Sequence, residues 1–103
     1  MKPGEVWIVD LGTVSKVRPV LVVSREDTDP PRALSVVVPF TRAGRGSRYE
    51  IPMPNLRFIS GDSVVNVQGI QAVENVHFQR RLGAIGANPL RQVREAIRWM
   101  LDL

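Results

Sequence analysis

Three short apolar runs in this chain each carry a proline where a β-strand would want an amide donor. Pro19 precedes Val20-Leu21-Val22-Val23, Pro39 interrupts Val37-Val38-Pro39-Phe40-Thr41, and Pro52 lies in the run over 49–53. Proline donates nothing to a ladder, so Pro19 must sit near the start of its strand or on a free edge. Pro39 likewise demands an edge or a bulge. Whatever sheet these strands build must let the proline positions escape the regular hydrogen-bond pattern.

The remaining punctuation fits such a sheet. Strands are expected over 5–11, bounded by Gly4 and Gly12, then over 17–24, 34–41 and 49–53. Residues 26–32, with two prolines and two aspartates, form a loop. Partial alternation over 63–73 predicts one long strand with a bulge at Gly69. The period then changes: Leu90, Val93, Ile97 and Met100 recur at helical spacing, with Arg91, Arg94, Arg98 and Asp102 on the other side. Asn88 suits the N-cap of this helix and Pro89 its first position. Between strand and helix, the stretch 74–82 holds a helical turn. Five or six short strands, one closing helix and no β-α-β alternation predict a single mainly-β domain over 1–103, a small antiparallel barrel or strongly curled sheet.

Composition removes several kinds of chemistry. The 103 residues include no cysteine, which excludes disulfides, thiolate metal sites and a cysteine nucleophile, and is compatible with a reducing cytoplasm. Glu5 and Asp10 interrupt the region where a signal peptide would be apolar. No apolar segment approaches the roughly 20 residues that span a bilayer, so a cytoplasmic protein without membrane contact is expected. No phosphate-binding glycine motif is present, and His77 is the only histidine. A zinc site or a His–His acid–base pair within one chain is thereby unsupported, and neither metal nor cofactor is expected. A core of this size leaves no room for a deep pocket, which puts a site on an open surface or at a subunit boundary.

The net charge is +4, and twelve of the fourteen basic residues are arginine. A guanidinium presents a planar fork of donors that matches phosphate, pointing toward nucleic acid; a GC-rich genome alone would also favour arginine over lysine. The run Arg42-Ala-Gly-Arg-Gly-Ser-Arg48 predicts a mobile, exposed, cationic loop. Trp7 and Trp99 are expected in the core or at a subunit interface, while Tyr49 or Phe40 would be able to stack on a base.

Several blocks together resemble the MazF/PemK family of toxin ribonucleases. They are Pro3-Gly4-Glu5-Val6-Trp7-Ile8-Val9-Asp10-Leu11, then Lys16-Val17-Arg18-Pro19-Val20-Leu21-Val22-Val23-Ser24, then Val38-Pro39-Phe40-Thr41. Ser63-Val64-Val65, the stretch 70–73, Leu82-Gly83 and the closing helix continue the likeness along nearly the whole chain. The resemblance implies an SH3-like curled barrel of the CcdB/PemK type that forms a homodimer and binds single-stranded RNA in a groove at the dimer interface. It also implies a cognate antitoxin, a short acidic protein whose extended C-terminal segment blocks that surface. By position Arg18 matches the family's catalytic arginine and Thr41 its catalytic threonine. Lys16, Arg25, Arg42, Arg45, Arg48, Gln68 and Gln71 are then candidates for RNA contact. Where many relatives carry an acid followed by glutamine, this chain has Gln68-Gly69.

The implied reaction is metal-independent cleavage by the ribose 2′-hydroxyl, which leaves a 2′,3′-cyclic phosphate. It requires stabilisation of a charged phosphorane and two proton transfers. A guanidinium is a poor base, so the role of Arg18 is electrostatic. Thr41 donates to a non-bridging oxygen. Two other readings stay open: a non-cleaving RNA- or antitoxin-binding member of the family, and a CcdB-like inhibitor of DNA gyrase that acts on a protein.

Overall fold

A computed structural model describes residues 1–12, 17–42, 44–53, 55–59 and 62–103. Strands β1 (Glu5–Asp10), β2 (Val17–Val22) and β3 (Leu34–Thr41) form an antiparallel meander, with Trp7 opposite Val20 and Leu21 opposite Val38. Of the later strands, β4 is Glu50–Pro52, β5 Val64–Asn66, β6 Gln71–Glu74 and β7 Phe78–Ala84. The helix α1 spans Ala87–Met100.

Pro39 sits where β3 changes partners. On the side away from β2, residues Leu34 to Val37 pair with β6, whereas Phe40 and Thr41 pair with β5. Val38 and Pro39 fall in the gap, so the missing proline amide costs no ladder bond there. Pro19 escapes differently: the ladder between β2 and β3 begins at Val20, one residue beyond it. Pro52 ends β4, an edge strand whose one partner is β5.

The single strand expected over 63–73 is in fact two strands separated by a 3-10 turn at Val67–Gly69. Two local contacts break it. The Asn66 side-chain oxygen accepts the Gln68 amide at 3.1 Å, which competes with ladder formation. Gly69 also lies flat on the Pro39 ring, where any Cβ would come within 2.6 Å of Cγ.

The stretch 74–82 does contain a helical turn, at Asn75–His77, but β7 follows it at once. That strand left little trace in the sequence because Gln79, Arg80 and Arg81 are exposed and hide the period-2 pattern. It pairs with β1, placing Val6 opposite Gly83. Gly83 carries the ring of Phe58 against its backbone, too close for a Cβ. Among the described residues the sheet therefore has seven strands.

Strand order dictates its shape. One stretch of sheet runs β6-β3-β2-β1-β7, and its two end strands are consecutive in sequence, joined by only the 3-10 turn. The sheet must curl until those ends approach, although no ladder joins them. Inside the curl Val9, Val20, Val22, Val37 and Val73 pack with Trp7, Leu11 and Phe78. A second core forms outside it, from Val6, Leu21, Val38, Phe40, Val65, Val67 and Ile85, and α1 covers that core through fully buried Val93. Curled antiparallel sheet plus one C-terminal helix is the architecture expected from the sequence.

The helix begins earlier than predicted. Its N-cap is Gly86 rather than Asn88, and no side chain caps it. Pro89 thus occupies the third helical position, where the amide has no intrahelical acceptor in any case. Among the described residues no helix is long and apolar enough to cross a membrane.

Candidate functional site

Arg18 and Thr41 meet through strand register. The pairs Val20–Pro39, Leu21–Val38 and Val22–Val37 align β2 with β3. Continuing that register by two residues sets Arg18 opposite Thr41, just beyond the last ladder pair. Both side chains line an open depression of about 290 Å³, together with Pro19, Phe40, Arg42, Ile59 and Ser63. The two prolines hold this end of the strands in shape without offering donors. Two guanidinium groups make the depression electropositive, and the hydroxyls of Thr41 and Ser63 add short-range donors. Among its described lining residues there is neither a carboxylate nor a histidine.

This arrangement suits a phosphate diester. The exposed Arg18 guanidinium at the rim can offer its planar fork of donors to phosphate oxygens. A threonine hydroxyl half-buried beside it loses little freedom in donating to the same group.

The structure divides the other predicted contacts. Arg42 joins Arg18 and Thr41 at the depression. Lys16 lies outside the described residues. Arg25 follows the opposite end of β2, seven residues from Arg18, or roughly 23 Å along an extended strand. Gln68 is exposed on the 3-10 turn beside Pro39, two positions along β3 from Thr41. Gln71 opens β6 opposite Val37, and its side chain faces a separate cavity with Asp10, Glu74 and His77. His77 therefore stands away from the Arg18 depression.

The arginine-rich loop is tethered more firmly than its composition suggests. One oxygen of Glu50 accepts the amides of Arg45 at 2.9 Å and Ser47 at 3.0 Å. These bonds, Ser47 foremost, hold the Glu50 carboxyl below its usual range. Arg48 lies over the Trp99 ring, 4.2 Å from its centroid, and Tyr49 packs on the same indole at 4.9 Å. Trp99 is thus a platform on α1 for the end of this loop, and Tyr49 is occupied by it. Phe40 is buried in the outer core, and its ring also lines the depression.

A second carboxylate fastens the frame. Glu5 accepts from the Lys2 amide, the Trp7 indole and Arg81, linking β1 to β7. Partial burial pushes its carboxyl up, but those bonds and the Arg81 charge together hold it below the ordinary value.

Sequence reading missed Ile59 and Ser63 as site residues. They arrive from the segment preceding β5, whose composition carries no motif, and only the fold brings them to Arg18. They also line an adjoining cavity of about 320 Å³ bounded by Met53, Asn55, Leu56 and Asp62.

Comparison with known proteins gives a consistent picture. Residues 2–101 match the family described as PemK-like, MazF-like toxin of type II toxin–antitoxin system. Endoribonuclease MazF3 of Mycobacterium tuberculosis is 28% identical over 95 residues, covering 92% of each chain. The solved structure of the M. tuberculosis toxin MazF-mt6 superposes with a TM-score of 0.83 at 29% identity, covering 96% of this chain and 97% of that one. A mycobacterial endoribonuclease in complex with its cognate antitoxin shares the fold, with a TM-score of 0.85 at 23% identity over 100% of this chain and 96% of that one.

Proposed function

Because this chain belongs to the PemK-like, MazF-like toxin family of type II toxin–antitoxin systems, we propose that it is an endoribonuclease that cuts single-stranded RNA without a metal. The observation that carries this reading is the placement of Arg18 opposite Thr41 in one cationic depression. The similar chains named as endoribonucleases support it.

In the proposed step the ribose 2′-oxygen loses its proton and bonds to phosphorus. The bond from phosphorus to the 5′-oxygen breaks, and that oxygen takes up a proton. The products are a 2′,3′-cyclic phosphate and a 5′-hydroxyl. Arg18 neutralises the charge that builds on the phosphorane, and Thr41 donates its hydroxyl hydrogen to a non-bridging oxygen. Contacts that tighten only as charge develops are each worth roughly 10²–10³ in rate. In this scheme solvent carries the protons.

The chain acts as a homodimer whose RNA groove lies between subunits, and a short acidic antitoxin covers that groove. A long single-stranded RNA incubated with the protein in excess EDTA tests the reading. Wild type is expected to release fragments with cyclic phosphate ends, and Arg18→Ala is expected to leave the RNA intact. Salt-sensitive binding with no cleaved product would instead favour the non-cleaving alternative.

A further inference from the structure

The cavity adjoining the Arg18 depression is not explained by phosphate chemistry. It shares Ile59 and Ser63 with that depression, so the two, of about 320 and 290 Å³, lie side by side. Its walls are apolar where Met53, Leu56 and Ile59 contribute, and its polar groups are Asn55, Ser63 and the carboxylate of Asp62. Among the described residues no lysine or arginine lies within ion-pair distance of Asp62.

A carboxylate in the path of a polyanion is repulsive unless it meets a donor. Phosphate offers none, but the edge of a nucleobase does. In single-stranded RNA a base can swing away from its neighbours, lay its faces on apolar side chains and present its Watson–Crick edge. The four edges differ in what they show a carboxylate. Guanine alone presents two adjacent donors, N1–H and the N2 amino group, which two carboxylate oxygens accept together. Adenine and cytosine set an acceptor ring nitrogen beside their single amino group. Uracil has one donor between two carbonyls. Either pattern turns a lone pair toward Asp62.

Resting on the ribonuclease reading, we propose that this cavity is a base-reading subsite that takes a guanine flanking the scissile phosphate. Asp62 accepts N1–H and N2–H, the Asn55 amide donates to O6, and Met53, Leu56 and Ile59 pack on the ring. Ser63 stands on the shared wall between the base and the phosphate. Asp62 and Asn55 thus fix which phosphate reaches Arg18 and Thr41, and they take no part in the bond changes.

The test reads sequence preference rather than total rate. The 5′-hydroxyl ends released from a long RNA by wild type are sequenced, and guanine is expected at one fixed position beside the cut. Asp62→Asn, which changes an exposed side chain and should melt at the wild-type temperature, is expected to lower that preference roughly tenfold or more relative to the other positions. Inosine at the same position, which lacks the N2 amino group, should weaken cutting by wild type and make much less difference to Asp62→Asn. Cleavage without guanine at any flanking position, or with the same preference in Asp62→Asn, overturns the subsite and leaves the ribonuclease standing. Binding of oligoadenylate with and without a single guanine separates the reverse case. If wild type does not cut, an Asp62-dependent preference for the guanine oligomer upholds the subsite alone, and equal binding overturns it.

Discussion

Two pairs of arginines look alike in the sequence and differ in the folded chain. Arg18 and Arg42 line an open depression with Thr41 between them. Arg45 and Arg48 belong to a loop whose amides are held by Glu50 and whose last guanidinium lies on Trp99. Each of these four residues is exposed, so exposure does not separate them. What separates them is what each one packs against. A cation at the wall of a trough is placed to meet a phosphate, whereas one resting on an indole must leave that ring to bind anything else. A surplus of arginine therefore marks a nucleic-acid protein only after the arginines held internally are set apart.

That contrast can be broken experimentally. Arg18→Ala is expected to lower RNA cleavage by roughly 10²–10³ with little change in melting temperature, because an exposed side chain carries little packing. Thr41→Val should follow at the low end of the same range, about 10²-fold, since only one donor is lost while the shape is kept. If Arg48→Ala cost more cleavage than either, the division between the two pairs would be wrong. A third change tests the frame: Gly69→Ala drives a Cβ into the Pro39 ring and should cost about 1–3 kcal/mol in denaturant unfolding. Arg48→Ala should cost only about 0.5–1 kcal/mol, the scale of an exposed cation–π contact, and leave cleavage close to wild type. The smallest effect belongs to Glu50. Its carboxyl is held below the usual range, so the tether is complete above the ordinary carboxylate pKa and is lost as pH falls through the lowered value. Protection of the Arg45 and Ser47 amides, taken as exchange relative to the intrinsic rate at each pH, should fall on acidification in wild type and should be low at every pH in Glu50→Gln.

The sequence made the meander and the helix legible because both rest on local periodicity. The valine runs of β1, β2 and β3, and the spacing of Leu90, Val93, Ile97 and Met100, each report a buried face directly. β7 was not legible, since its polar residues stand on exposed positions and its existence depends on β1, about seventy residues away. The division of 63–73 into two strands was hidden for a related reason. It depends on the Pro39 ring, which occupies the place where a continuous strand would pass. At the site, Arg18 and Thr41 came from a resemblance, and their opposition across β2 and β3 follows from register. Ile59 and Ser63 bear no local signature, and only the path of the segment before β5 puts them at the depression. The tether of Glu50 on the arginine loop depends on side-chain direction at a turn, which composition does not encode.

The pairing of β1 with β7 also has a consequence in time. β1 is synthesised well before β7, and it keeps one bare edge until Phe78–Ala84 has been made. The Glu5–Arg81 bond that fastens this seam joins residues 76 apart. Contacts of such long range form late and slowly. A nascent chain stopped before Phe78 should stay open to protease, with Arg18 and Thr41 already made but the curl that supports them unfinished. Emergence of β7 is then the moment at which translation turns a harmless polypeptide into a toxin.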